Sequence, residues 1–142
     1  MKKLVLTLLL SVPAWCGWGM DRLSALSMLE TGDNDRAIGR AGEISRFQVL
    51  RSEWRSVTNS ARYADYETAR KVVLHIMDRR IRSFEAVHKR SPSDFEYYAL
   101  WNAPAQALQG KFSRRVAERC RRFANLCARD RELAQSSSAK VF

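Results

Sequence analysis

The spacing of apolar side chains along the chain predicts an all-helical protein. Apolar residues recur at intervals of three and four, which is the repeat of one face of an α-helix, and no stretch shows the alternation typical of strands. With 142 residues, the chain is long enough for one compact domain. The pattern predicts five helices in a single all-α domain, at about residues 21–30, 47–57, 66–88, 92–102 and 112–130.

The fourth predicted helix carries the clearest signals for its two ends. Ser91 is a suitable N-cap, Pro92 fits the first helical turn, and Asp94 completes a capping box. Pro104 is expected to terminate this helix. Beyond the last helix, we expect residues 133–142 to form a flexible tail.

The first 16 residues have the composition of a secretory signal peptide. Two lysines precede a short apolar run over residues 4–12, and Ala14-Trp15-Cys16 then offers a cleavage site. A membrane-spanning helix needs about 20 apolar residues, so this run is too short to span a bilayer. Trp15 stands where lipoprotein signals carry a small residue, which disfavours lipid anchoring. We expect an exported protein, periplasmic or secreted, whose domain occupies residues 17–132.

The charge balance indicates an acidic polymer as the partner. The chain has 25 basic and 15 acidic residues, and removal of the signal peptide takes away two lysines and leaves a net charge of +8. A basic exported protein suits cell-wall glycan, an anionic wall polymer or a membrane surface, and nucleic acid is a less suitable partner there. His75 and His88 have no further ligand at metal-binding spacing, so we expect no metal and no cofactor.

Two cysteines remain after the signal peptide, and they lie on one predicted helix. Cys120 and Cys127 are seven residues apart, which corresponds to roughly 10 Å along a straight helix. A disulfide needs a Cα separation of about 4.4–6.8 Å. Because the segment between them contains no helix breaker, we expect two buried thiols, although an exported pair is often a disulfide.

Candidate chemistry begins at Glu30, which ends the first predicted helix on its apolar face and precedes a polar loop with three glycines. Partial burial favours the protonated form of a carboxyl group, which is then able to act as a general acid. Gln48, Trp101 and Asn102 come from two other segments that are expected to meet Glu30 at one cleft. Amide groups bind hydroxyl and N-acetyl groups, and an indole stacks on a sugar ring, so the set suits a glycan. A surface loop without a role, and a glutamate at the rim of the core, are the simpler alternatives.

The order and spacing of these segments resemble the lytic transglycosylases of the goose-lysozyme-like superfamily over about residues 20–130. "ETG" at Glu30 is similar to the Glu-Ser-Gly motif of that family, with Thr31 in the place of Ser. "FQ" at Gln48 is similar to the end of its second motif, although "SR" replaces the usual glycine. "WN" at Asn102 is similar to its aromatic-Asn pair, although Pro104 stands where glycine is frequent.

The resemblance implies a lysozyme-like domain that cleaves peptidoglycan between N-acetylmuramic acid and N-acetylglucosamine. Glu30 would be the general acid and then the general base, and the product would end in a 1,6-anhydromuramic ring. Thr31 would support Glu30, while Gln48, Trp101 and Asn102 would hold the sugar. Trp101 replaces a tyrosine that contacts the glutamate in the family, and Tyr98, one turn earlier, is the candidate to supply that hydroxyl.

The departures from the family pattern leave two further functions open. One is a catalytically degenerate relative that binds peptidoglycan without cutting it. The other is a lysozyme-type hydrolase, which would need an acid to activate water. Asp33, Asp35 and Glu43 of the loop are candidates for that acid, and each is also explained as a solvated loop charge.

Overall fold

A computed structural model describes residues 18–138 of the 142 and confirms the all-α class. Within this range two isolated antiparallel bridges, Ile38–Ile44 and Ile44–Val49, are the only extended pairings. The predicted signal peptide lies outside the described residues. The described range contains six helices, α1 Trp18–Thr31, α2 Arg51–Val57, α3 Tyr66–His88, α4 Asp94–Asn102, α5 Pro104–Gln109 and α6 Arg114–Ser138.

The short helix α4 lies at the centre of the fold. Its residues 97–101 are all buried, and it packs against α3, α5 and α6. A helix that is apolar all round is stable only when other elements enclose it. Tyr97 and Tyr98 both stack on Phe123 of α6, with ring centroids 5.8 and 5.3 Å apart. Since α1 also packs on α6, the C-terminal helix holds α1 and α4 in a fixed relation.

The loop between α1 and α2 is irregular but ordered by specific contacts. Gly32 adopts a left-handed φ of 63° and donates its N–H to the Met28 carbonyl, which ends α1. Further along, Ile44 exchanges two backbone hydrogen bonds with Val49, both at 2.9 Å. Ile44, Phe47 and Val49 are buried, so the loop contributes to the core as well as to the surface.

Helix α2 is shorter than the predicted 47–57. It begins at Arg51, because Ser45 and Gln48 have φ values of 67° and 54° in the left-handed region, which interrupts a right-handed helix. Phe47 is therefore a buried loop residue, although it has the spacing of the α2 core face.

The predicted cap of α4 is wrong by two residues. The N-cap is Ser93, whose side chain accepts from the Glu96 N–H while the Glu96 carboxylate accepts from the Ser93 N–H. Asp94 lies in the first turn and pairs with Arg22 and Arg131, both at 2.8 Å. Ser91 instead donates its hydroxyl to a side chain of α3. Two serines two residues apart give similar signals, and only one has a glutamate three positions later.

Two further differences concern the C-terminal third of the chain. Pro104 ends α4 as predicted, but it also begins the short helix α5, since proline is favoured in the first turn. The predicted tail over 133–142 is helical as far as Ser138, where no glycine or proline stops α6 and the Ser136 hydroxyl donates to the Glu132 carbonyl. Residues 139–142 lie outside the described range.

The expectation of two thiols is confirmed. Cys120 and Cys127 are free, and both are buried on the core face of α6. Burial raises the pKa of Cys120 to about 11 and that of Cys127 to about 12. Both residues therefore behave as small apolar core residues rather than as reactive groups.

Candidate functional site

A three-residue cluster holds the carboxyl group of Glu30. The Tyr98 hydroxyl donates to Glu30 Oε1 at 2.6 Å, and Arg119 Nη2 lies 3.2 Å from both carboxylate oxygens. Arg119 Nε also donates to the Tyr98 hydroxyl at 2.8 Å. The Glu30 side chain is 11% exposed and that of Arg119 35%. Residues from α1, α4 and α6 thus fix one carboxyl group in a single orientation.

The electrostatics of the cluster keep its two donors protonated. Burial raises the pKa of Tyr98 well above its ordinary value, and the charge of Glu30 and the hydrogen bond to it act in the same direction. For Arg119, burial works against the charged form. The interactions with Tyr98 and Glu30 outweigh this effect, so its pKa is also raised. Both groups are therefore protonated at neutral pH and able to donate to Glu30.

Glu30 lines a cleft of about 590 Å³ on the side where α1, the 32–50 loop and α6 meet. The cleft is lined largely by polar side chains, including four arginines and three glutamates. Such a surface suits a hydroxylated or charged ligand better than an apolar one. The lining residues are Glu30, Arg40, Glu43, Gln48, Leu50, Glu53, Arg80, Trp101, Asn102, Pro104, Arg115 and Arg119.

Four of the six predicted site residues therefore lie together at one cleft, namely Glu30, Gln48, Trp101 and Asn102. Asn102 ends α4 with an exposed side chain, whose amide has no hydrogen bond to any described residue. Trp101 is only 9% exposed, and the Arg80 guanidinium lies 5.6 Å from its ring centroid. The amide of Asn102 is thus available to a ligand, whereas little of Trp101 is exposed to one.

Gln48 reaches the cleft through an unusual backbone. It has a left-handed φ of 54°, and its Nε2 donates to the Ser45 carbonyl at 3.2 Å. A Cβ atom at Gly39 would overlap the side-chain ends of Gln48 and Glu43. The absence of a side chain at Gly39 therefore allows these two polar groups to lie side by side.

Thr31 and Tyr98, the other two predicted site residues, do not line the cleft. The Thr31 hydroxyl donates to the Arg46 carbonyl at 2.8 Å and accepts from the Asn34 N–H at 3.1 Å, so it ties the end of α1 to the loop. Tyr98 is fully buried and reaches the cleft only through its hydrogen bonds with Glu30 and Arg119. The structure thus places both residues behind the cleft wall, where they position other groups.

Of the three loop acids considered for activating water, one lines the cleft. Glu43 does so, and its Oε2 accepts from the Ala41 N–H at 2.9 Å. Asp35 pairs with Arg46 Nε at 2.7 Å, and Asp33 lies 3.5 Å from the same guanidinium. Asp33 and Asp35 therefore order the loop and do not line the cleft, so the geometry gives no support to either as the acid that activates water.

Sequence reasoning missed the arginines of the cleft. Arg119 has a weak signal, because it lies beside Cys120 and three residues after Val116, at the edge of the buried face of α6. Arg80 donates to the carbonyls of Leu100 and Trp101 at 2.9 and 2.8 Å, which caps the end of α4. Its contact could not be deduced without knowing that α3 crosses this end of α4.

Comparison of the sequence with known protein families and curated proteins, and of the fold with solved structures, finds no match. Between residues 18 and 138, no helix combines the length and the apolar composition needed to cross a bilayer.

Proposed function

We propose that the protein is a peptidoglycan lytic transglycosylase that acts outside the cytosol, with Glu30 as its general acid and base. The observation that carries the proposal is the Glu30 carboxyl group at a polar cleft, held by a tyrosine hydroxyl and a guanidinium and flanked by two side-chain amides. A shielded carboxyl group beside amides suits proton transfer to a glycosidic oxygen. The N-terminal sequence supports export, and the basic net charge supports an anionic wall polymer.

The reaction needs only one carboxyl group. Protonated Glu30 gives its proton to the oxygen between N-acetylmuramic acid and N-acetylglucosamine, and the bond from that oxygen to the muramic anomeric carbon breaks. The Glu30 carboxylate then takes the proton of the muramic C6 hydroxyl, whose oxygen bonds to the anomeric carbon. The product carries a 1,6-anhydro ring, no water is consumed, and Glu30 returns to its protonated state.

Arg119 and Tyr98 act on the carboxylate stage of this cycle. Their hydrogen bonds to Glu30 are stronger when the carboxyl group is charged, as charge-assisted hydrogen bonds are. They therefore stabilise the state that follows the first proton transfer and keep the oxygens oriented for the second. Gln48 and Asn102 supply the amide groups that bind N-acetyl and hydroxyl groups of the strand.

One observation favours a second candidate, a lysozyme-type hydrolase. Glu43 lines the same cleft as Glu30, so the cleft contains a second carboxyl group. In inverting glycosidases the second carboxylate activates a water molecule on the opposite face of the sugar. Glu43 would take that role, and the product would then carry a reducing end.

Mass spectrometry of released fragments tests both candidates. Purified peptidoglycan is incubated with the unmodified protein and with its Glu30→Gln and Glu43→Gln variants. The control is a Glu67→Gln variant, changed on the exposed face of α3. We expect anhydro-muropeptides from the unmodified protein, the Glu43→Gln variant and the control, and none from Glu30→Gln. If the unmodified protein instead releases fragments that are heavier by one water, and the Glu43→Gln variant does not, the protein is the hydrolase and not the transglycosylase. Binding to the wall without release would refute both enzymes and leave a binding protein.

A further inference from the structure

The cleft carries more positive charge than its own acids neutralise. Arg119 pairs with Glu30, and Arg80 pairs with Glu53. The other two cleft arginines, Arg40 and Arg115, are exposed and have no hydrogen bond, ion pair or ring contact with any residue that the structure describes. Two free guanidinium groups at one cleft provide fixed positive charge that a ligand can use.

These two arginines come from different elements, each of which is well anchored. Arg40 lies in the turn in which Gly42 donates to the Gly39 carbonyl at 3.1 Å and Gly39 donates to the Glu43 carbonyl at 2.9 Å. Arg115 lies in the first turn of α6, four residues before Arg119, so both side chains project from the same face of the helix. The free charges are therefore carried by rigid backbone.

The imbalance grows in the state that the proposed reaction requires. A general acid must be protonated, and a neutral Glu30 leaves Arg119 without its countercharge. The four cleft arginines then face only two charged acids, Glu43 and Glu53, and of these only Glu53 makes an ion pair with an arginine. Guanidinium groups bind carboxylates through paired, charge-assisted hydrogen bonds, so carboxylate is the ligand group that best matches this surface.

Building on the proposed function, we propose that Arg40 and Arg115 bind carboxylate groups on the muramic acid substituent of the glycan strand. The N-acetylglucosamine units of such a strand are uncharged, so its carboxylates all lie on the lactyl side of muramic acid. They belong either to the peptide stem or, once the stem is removed, to the lactyl group itself. The arginines thereby distinguish a wall strand from a neutral chitin-type strand.

The test measures binding in a background that does not turn over substrate. The Glu30→Gln variant of the full chain is combined with Arg40→Gln, with Arg115→Gln, or with Arg121→Gln, an exposed arginine of α6 that does not line the cleft. Each protein is titrated calorimetrically with stem-bearing strands, amidase-stripped strands and chito-oligosaccharide of matched length. Because Glu30→Gln is neutral, it also reproduces the charge of the protonated cleft.

We expect each cleft substitution to weaken binding of stem-bearing strands about 3- to 10-fold, which is the size of a partly exposed charged hydrogen bond. Binding of chito-oligosaccharide, and all binding by the Arg121 control, should be unchanged. Retention of the effect on stripped strands would assign the contact to the lactyl carboxylate, and its loss there would assign it to the stem. Equal affinities of all variants for stem-bearing strands, or an equal loss on chito-oligosaccharide, would overturn the proposal.

Failure of this proposal is distinguishable from failure of the enzyme. Unmodified protein that releases anhydro-muropeptides while the arginine variants bind normally would remove only the carboxylate contact. Absence of cleavage together with arginine-dependent binding would indicate a protein that binds peptidoglycan through its carboxylate groups without cutting it.

Discussion

Replacement of Arg119 by methionine tests the Glu30 cluster directly, without reference to any substrate. The change keeps an unbranched chain but removes the guanidinium that lies 3.2 Å from both Glu30 oxygens and 2.8 Å from the Tyr98 hydroxyl. Glu30 would keep only the hydrogen bond from Tyr98 and would lose its countercharge. We therefore expect the substitution to lower the free energy of unfolding.

The size of this loss follows from the exposure of the two partners. An exposed ion pair contributes about 0–1 kcal/mol, and removal of one partner from a buried pair costs about 3–5 kcal/mol. The Glu30 side chain is 11% exposed and that of Arg119 35%, so water from the cleft reaches one side of the pair. We expect a loss of about 1–2 kcal/mol at pH 7, which lowers Tm by roughly 4–8 °C in a domain of this size.

A double-mutant cycle isolates the interaction between the two side chains. Urea unfolding is measured for the unmodified protein, Arg119→Met, Glu30→Gln and the double variant. In the Glu30→Gln background no charge is left uncompensated, so Arg119→Met should cost less there, with a coupling of about 1 kcal/mol. The same cost in both backgrounds would refute the reasoning, because it would show that Arg119 stabilises the fold independently of Glu30.

Three other consequences can be measured on the same protein. The Gly39→Ala substitution would push aside the Glu43 carboxyl group and the Gln48 amide. We therefore expect less of the variant to sediment with peptidoglycan, with a change in unfolding free energy below about 1 kcal/mol. Unchanged sedimentation would contradict the role of these two groups in the cleft. Hydrogen bonding to Arg90 lowers the pKa of Glu96 from 4.5 to about 2, so the stabilisation by ionised Glu96 is complete above pH 4.5 and is lost as the pH falls towards 2. Glu96→Gln should therefore cost about 1 kcal/mol at pH 7 and almost nothing near pH 2, as compared by unfolding at each pH; a constant cost would rule out the charge as its source. The two buried cysteines should react with a thiol reagent only after unfolding, and equal rates for folded and unfolded protein would contradict their burial.

The helices were predictable where local signals agree with packing. For α3 the predicted and observed bounds coincide, because Asp65 caps its start by accepting from the Thr68 N–H and Lys89 ends it in a left-handed conformation. For α2 the apolar spacing continues into Phe47, but the left-handed backbone at Gln48 prevents a helix there. A glycine in the sequence would have indicated a left-handed backbone conformation at this position, whereas a glutamine does not.

The candidate site was predictable as far as its residues lie near a helix end or a motif. The contact of the Tyr98 hydroxyl with Glu30 was implied by the resemblance to lytic transglycosylases, in which a tyrosine contacts the glutamate, and the structure contains it. Arg119 is 89 residues from Glu30 in the chain, and only the packing of α6 on α1 and α4 brings them together. The sequence places Arg119 at the edge of the buried face of α6, but it does not indicate which residue Arg119 pairs with.

The three residues of the Glu30 cluster lie far apart in the sequence, and this affects when the cluster is able to form during synthesis of the protein. Arg119 belongs to α6, which leaves the ribosome well after α1 and α4 and is the element that holds those two helices together. A partly synthesised chain therefore lacks both the guanidinium that pairs with Glu30 and the surface that aligns it with Tyr98. Assembly of the cluster is thus delayed until α6 has been made.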